Sequence, residues 1–192
     1  ELTAYHEAGH AVVMQLLPDH DPVSQITIIP RGQAGGMTIS LPEEDRSYLS
    51  KRYMEDQIVA LLGGRVAEKL CLGDISTGAS NDVQRATQIA RKMVASYGMS
   101  EKLGTVSFES GHDEVFIGRT MSQGRSYSEA VAAQIDEEVK DLVGSAYERC
   151  RKILDENRDK LETVARYLLE HETMERDAFL AVFRTPEVPA SV

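Results

Sequence analysis

The pentapeptide His6-Glu7-Ala8-Gly9-His10 constrains this chain more than any other stretch. On a helix, residues i and i+4 share one face a single turn apart, so two imidazoles at that spacing can reach one metal ion. Glu7 precedes His10 by three residues, close enough to that face to reach a water at the metal. This is the H-E-x-x-H pattern, in which the histidines bind zinc and the glutamate is the general base. A chance match on a charged surface helix is the competing explanation, and it leaves the spacing unaccounted for.

A catalytic helix needs a core to pack on, and the composition says what that core is made of. The 192 residues are enough for one ordinary domain, 42% of them are hydrophobic and 27% charged, which is globular composition. There is no Trp and only 6% of residues are aromatic, so the core falls to Leu, Val, Ile, Ala and Met, which suit helices. With 31 acidic residues against 21 basic ones, the net charge of -10 repels phosphate backbones and argues against a nucleic-acid partner. Cys71 and Cys150 form no C-x-x-C pair and read as reduced thiols rather than a disulfide. No stretch approaches the roughly 18 consecutive apolar residues of a membrane span, and no signal peptide is visible. The chain opens almost directly on the metal motif, so the expectation is an excised domain whose upstream part is missing.

Taken in order, 2–17 reads as the active helix, stopped by Pro18. Gly9 inside it costs about 1 kcal/mol relative to Ala, and a glycine there lets another backbone approach. Two β segments follow, 24–30 and 36–41, joined by a turn at 31–35. Such a hairpin exposes a strand edge to which a peptide can add as one more strand, or else is a structural cover for the helix. The run 42–46 reads as a solvated lead into the next helix, 51–72, which Gly63-Gly64 interrupts at a close crossing. A small-residue loop at 73–82 then runs into a helix to about Tyr97, with Ser80 as its expected N-cap. The stretch 99–126 reads as loop, with a short extended piece at 105–108. Ser128 begins a long amphipathic helix that breaks near Asn157, a further helix carries Leu161, Val164, Leu168 and Leu169, and a short terminal helix spans 173–183. The fold class is therefore mainly α, a multi-helix domain over 1–184 with a small antiparallel β unit beside the metal helix, and 185–192 a flexible tail.

Two histidines do not hold a catalytic zinc; a third protein ligand is needed, with one position left for water. The candidates are His20, Glu43, Glu44, Glu68, Asp82 and His112. Glu68 follows the glycine crossing on a helix. Asp82 sits in the first turn of the next helix, behind a loop whose small residues let the backbone come close, although a helix dipole alone also favours an acid there. Periodicity does not choose between Glu68 and Asp82.

The motif at 6–10, TIIPRG at 27–32, Gly63-Gly64-Arg65, STGASND at 76–82, YGMS at 97–100 and Leu103-Gly104 together resemble, in order, the peptidase domain of the FtsH family of membrane-anchored, ATP-dependent zinc metalloproteases. The resemblance runs to about Phe183. It implies that the aspartate of the SND segment, Asp82, is the third zinc ligand with His6 and His10, and leaves Glu68 as a supporting or structural acid. It also implies a mostly helical peptidase domain in a homohexameric ring beneath AAA ATPase domains. The phosphate loop G-x-x-x-x-G-K-[ST] and a membrane helix do not occur in this chain, so ATP binding, unfolding and membrane anchoring would belong to the missing N-terminal part. The implied setting is the cytoplasmic face of a bacterial inner membrane, or an organellar membrane in a eukaryote.

The expected reaction is hydrolysis of peptide bonds in unfolded or membrane-protein chains, with zinc activating water and polarising the carbonyl and Glu7 moving the proton. The hairpin edge at Gly36, Met37 and Thr38 is expected to hold the substrate extended. Tyr5 and Tyr97 are candidates to stabilise the oxyanion. The rival expectations are a peptidase-inactive ring module, against which the intact Glu7 argues, and a metal-free helical interaction domain, against which the SND loop argues.

Overall fold

The computed structural model of the protein describes residues 1–32, 35–42, 46–109 and 127–184. Its organising element is α1 (Leu2–Leu16). Ala4, Ala8, Ala11, Val12 and Val13 of this helix are fully buried, because α1 is surrounded by helices on several sides and capped by a small sheet. Small residues dominate its central turns, and a helix buried nearly all round must be apolar all round except where function intervenes. The helix ends as Leu17 turns extended ahead of Pro18.

The closest neighbour of α1 follows α2 (Lys51–Leu61), whose first turn is capped by Ser50 accepting from the Tyr53 N–H at 3.1 Å. The chain bends at Leu62 and continues as α3 (Gly63–Ala67) and one wide π-helical turn, Glu68–Leu72. The expectation for Gly9 and the Gly63-Gly64 pair has a direct physical basis here. A Cβ on Gly9 would stand 2.4 Å from the Gly63 carbonyl oxygen, and one on Gly63 would stand 2.8 Å from that of Gly9. The two helices cross backbone to backbone.

A 3-10 turn (Thr77–Ala79) leads into α4 (Ser80–Arg91), which a π-helical turn extends through Ser96. Ser80 is not the N-cap: Ala79 holds that position and no side chain caps the helix. The tight turn delivers the chain already helical at Ser80, and the serine that accepts a turn hydrogen bond is Ser76, from the Gly78 N–H at 3.1 Å. The long α5 (Glu129–Glu156) is capped by Ser128 and breaks at Asn157 before α6 (Arg158–His171), as the apolar periodicity predicts. Leu161, Val164 and Leu168 are fully buried, whereas Leu169 points outward and is 46% exposed.

Three short strands form one antiparallel sheet in the order β2-β1-β3: β1 (Val23–Thr27), β2 (Met37–Ser40) and β3 (Thr173–Glu175). The terminal helix expected over 173–183 is therefore only α7 (Arg176–Ala181). Glu172 takes a left-handed φ of 62° that stops α6, and Met174, almost fully buried, pairs with Ile26 of β1. β1 is thus the central strand, and among the described residues β2 has no second partner strand. The piece expected at 105–108 forms no strand; the nearest pairing is the bridge between Ser100 and Gly104.

Cys71 and Cys150 are free thiols. No described helix is long and apolar enough to cross a membrane. Glu43, Glu44, His112 and the tail 185–192 lie outside the described residues.

Candidate metal centre

Three polar side chains interrupt the apolar surface of α1: His6, Glu7 and His10, each less than a tenth exposed. Burying an imidazole or a carboxylate without partners is costly, so their partners tell what they are for. The Nδ1–H of His6 donates to Glu68 Oε1 at 2.7 Å, and the Nδ1–H of His10 donates to the Ala60 carbonyl oxygen at 2.8 Å. With a proton on each Nδ1, both Nε2 atoms carry free lone pairs. Those two Nε2 atoms face each other across 3.1 Å. Two lone pairs do not attract, so this arrangement calls for a cation between them.

The third group supplies the rest. Asp82, in the first turn of α4, brings Oδ2 to 3.3 Å from His6 Nε2 and 3.4 Å from His10 Nε2. Ligand atoms of His6, His10 and Asp82 all lie within 4.8 Å of one another, the one such group among the described residues. A tetrahedral zinc with bonds of about 2.0–2.1 Å separates neighbouring donors by about 3.3 Å, so the observed triangle fits the ion without rearrangement. Burial pushes the Asp82 carboxyl up, yet hydrogen bonds and charge from His10 and His6 outweigh it and hold Asp82 well below the usual carboxylate range. Burial pushes His6 down, but its hydrogen bonds to Asp82 and Glu68 and the charge of Glu7 raise it overall.

Glu68 does not join the triangle. It is fully buried behind His6, where Oε2 accepts from the Ser76 N–H at 2.7 Å and Oε1 lies 3.1 Å from the Ser76 hydroxyl. A carboxylate on the far nitrogen of a metal-binding histidine fixes the tautomer and the ring plane. Gly64 leaves the room: a Cβ there would stand 2.4–2.5 Å from three atoms of the His6 ring.

Glu7 is held from the sheet. The Thr38 hydroxyl lies 2.7 Å from Glu7 Oε2 and 3.1 Å from the Glu7 carbonyl oxygen, so β2 is fastened to α1 at the carboxylate. Gly36 lets this happen, because a Cβ on it would stand 2.9 Å from Glu7 Cγ and Oε1. Met37 between them is 36% exposed. The structure therefore brings together His6, Glu7, His10 and Asp82, with Gly36 and Thr38 against Glu7. It leaves out His20, whose Nδ1–H donates to the Asp21 carbonyl at 2.8 Å. Tyr97 is more than half exposed and Tyr5 half-buried. Sequence reasoning missed Ala60, Ser76 and the bond from Thr38 to Glu7. Ala60 acts through a backbone carbonyl, for which residue type carries no signal, and Ser76 through its backbone N–H together with its hydroxyl.

Comparison with known proteins follows the same outline. The family described as peptidase family M41 matches residues 1–182. The chain is 56% identical over 188 residues to ATP-dependent zinc metalloprotease FtsH 1 of Thermoanaerobacter sp. (strain X514), covering 98% of this chain and 31% of that protein. It is 58% identical over 183 residues to FtsH 2 of Alkaliphilus metalliredigens, covering 95% of this chain and 27% of that protein. To the ATP-dependent zinc metalloprotease FtsH of Bacillus subtilis it is 50% identical over 177 residues, 92% of this chain and 28% of the relative. The chain thus spans less than a third of the length of these relatives.

Proposed function

The chain belongs to peptidase family M41, and from that premise we propose that it is a zinc-dependent endopeptidase whose metal is held by His6, His10 and Asp82. The observation that carries the reading is the triangle of 3.1, 3.3 and 3.4 Å formed by the Nε2 atoms of His6 and His10 and one Asp82 carboxylate oxygen. Zinc bound there supplies Lewis-acid polarisation of the scissile carbonyl and makes water acidic enough to attack at neutral pH. The chain's own residues do the rest. Glu7 takes the proton of the attacking water and passes it to the leaving amine; Thr38 holds that carboxylate in place. The outer side of β2, which has no partner strand among the described residues, begins at Gly36, Met37 and Thr38 and receives the substrate backbone as an added strand. Backbone pairing is indifferent to side chains, which suits unfolded polypeptide of many sequences.

The relatives' names carry the word ATP-dependent, and we extend the proposal to the whole protein: this peptidase works in a homohexamer, fed by an ATPase ring and tied to a membrane through segments outside this chain. No nucleic acid takes part.

The test is Glu7→Gln, assayed on casein with ATP and zinc supplied. The variant is expected to keep its zinc and lose cleavage by about 10²–10⁴-fold. Cleavage by the variant at the wild-type rate would overturn the assignment of the base, whereas no cleavage by the wild type itself would leave the inactive ring module as the better reading.

A further inference from the structure

The outer strand β2 is the least supported part of the proposed substrate platform. It is four residues long and pairs with one strand, β1. Its pairing is irregular at one end: Ser40 faces Val23 and Ile39 faces Gln25, so Ser24 is left over as a bulge. Short edge strands with a bulge fray unless something else fixes their ends. One end of β2 is fixed by Thr38 on Glu7. At the other end the last backbone bond is Leu41 N–H to the Pro22 carbonyl, at 3.2 Å.

Just beyond that bond lies a charged cluster that the proposed chemistry does not use. Asp21, the residue before Pro22, is 5% exposed. Its Oδ2 accepts from the Tyr53 hydroxyl at 2.8 Å. Among the described residues its buried Oδ1 makes no hydrogen bond, and the charge that compensates it is Arg46 Nη1 at 3.2 Å. The Arg46 guanidinium also lies over the Tyr53 ring, 4.5 Å from its centre. Tyr53 belongs to the first full turn of α2, which Ser50 caps, so the anchor is a rigid helix. Three elements meet here: the lead into β1, the chain leaving β2, and α2. Beside the cluster is a cleft of about 340 Å³ lined by Asp19, His20, Tyr48 and the cluster itself, so packing alone does not hold the arginine.

We propose that Arg46, seated between Asp21 and Tyr53, is a positioning residue that latches the far end of β2 and so sets how well an extended polypeptide binds along that edge. The proposal rests on the reading of β2 as the substrate edge. Arg46 touches neither the metal triangle nor Glu7. Its loss leaves the Asp21 carboxylate buried beside a single donor and frees the chain after Leu41, while Thr38 still holds Glu7. The effect falls on substrate binding and spares the chemical step.

Two measurements test it, with Arg46→Ala, Arg46→Lys and Glu7→Gln made in the purified protein. The first is amide hydrogen exchange, which needs no activity. Arg46→Ala is expected to speed exchange at Thr38 to Leu41 with 4–13 of α1 unchanged; unchanged exchange on β2, or equal acceleration in both segments, overturns the latch. The second is steady-state cleavage of casein. Arg46→Ala is expected to raise KM about tenfold with kcat within about twofold, and Arg46→Lys, which keeps the charge over the ring, to recover much of it. A fall in kcat at constant KM, or faster β2 exchange with KM unchanged, overturns the positioning role. Cleavage by Glu7→Gln at the wild-type rate would instead indict the functional reading, and the exchange result would still judge the latch.

Discussion

The metal-bearing face of α1 and the strand β2 lie against each other, and they are built on opposite plans. On α1 both histidines are held from behind, His6 by Glu68 and His10 by the Ala60 carbonyl, and the helix itself by a glycine-to-glycine crossing with α3. Among the described residues β2 has one paired neighbour, a bulge, and fastenings near its ends. Groups that must meet one ion within a few tenths of an ångström sit where nothing can give. The surface proposed to accept many different chains sits where the backbone is held from one side only. The side-chain hydrogen bond that links the two plans, among the described residues, is Thr38 on Glu7.

The sharpest way to break the rigid half is Gly9→Ala. The added methyl meets helix backbone at 2.4 Å, which cannot rotate away as a side chain would. We expect a loss of about 3 kcal/mol or more in chemical denaturation, with zinc binding lost alongside. A variant of wild-type stability would mean that the crossing is not the constraint described. Glu68→Ala is the next largest: it removes the group behind His6 but leaves all three ligands, so zinc affinity in a competition titration should fall by about 10–100-fold with the fold retained.

Acid sharpens the comparison further. The metal-free site holds its His6 proton above the ordinary histidine value of 6.5, whereas Asp82 stays ionised because it is held low. Zinc must therefore displace a proton from His6 but not from Asp82. Affinity is expected to rise with pH, by up to about tenfold per unit, until His6 has lost its proton, and to be flat above. Over the same pH range the protection of the β2 amides, exchange relative to an unstructured chain at each pH, should stay unchanged. The smallest effect is expected for Thr38→Val, which cuts the link between the halves: kcat should fall about fivefold with zinc content unchanged, in keeping with one lost hydrogen bond to a carboxylate.

How much of this was legible beforehand depended on whether a feature is local. The pentapeptide at 6–10 announces its own helix, since two histidines one turn apart mean something only there. The α5–α6 break at Asn157 followed from the slip in apolar spacing, and Gly9 with Gly63 foretold a close crossing. Periodicity left Glu68 and Asp82 level; the resemblance of the STGASND segment favoured Asp82, and the geometry shows why both stand out, one in the triangle and one behind it. β3 was invisible because three residues carry no period, and Met174 is a strand residue only because Ile26 lies beside it from a remote part of the chain. Ser80 misled as a cap because the 3-10 turn before it had already made the chain helical. Ala60 contributes a carbonyl that any residue would offer.

The central claim is the ligand set, and zinc content tests it most directly. Elemental analysis of wild type, Asp82→Ala and Glu68→Ala, each equilibrated with excess zinc and then desalted, is the measurement. The account predicts about one zinc per chain in wild type, none in Asp82→Ala, and zinc retained by Glu68→Ala when the metal is plentiful. Zinc kept by Asp82→Ala and lost by Glu68→Ala would contradict it, and would move the third ligand from the tip of α4 to the π-helical turn after α3.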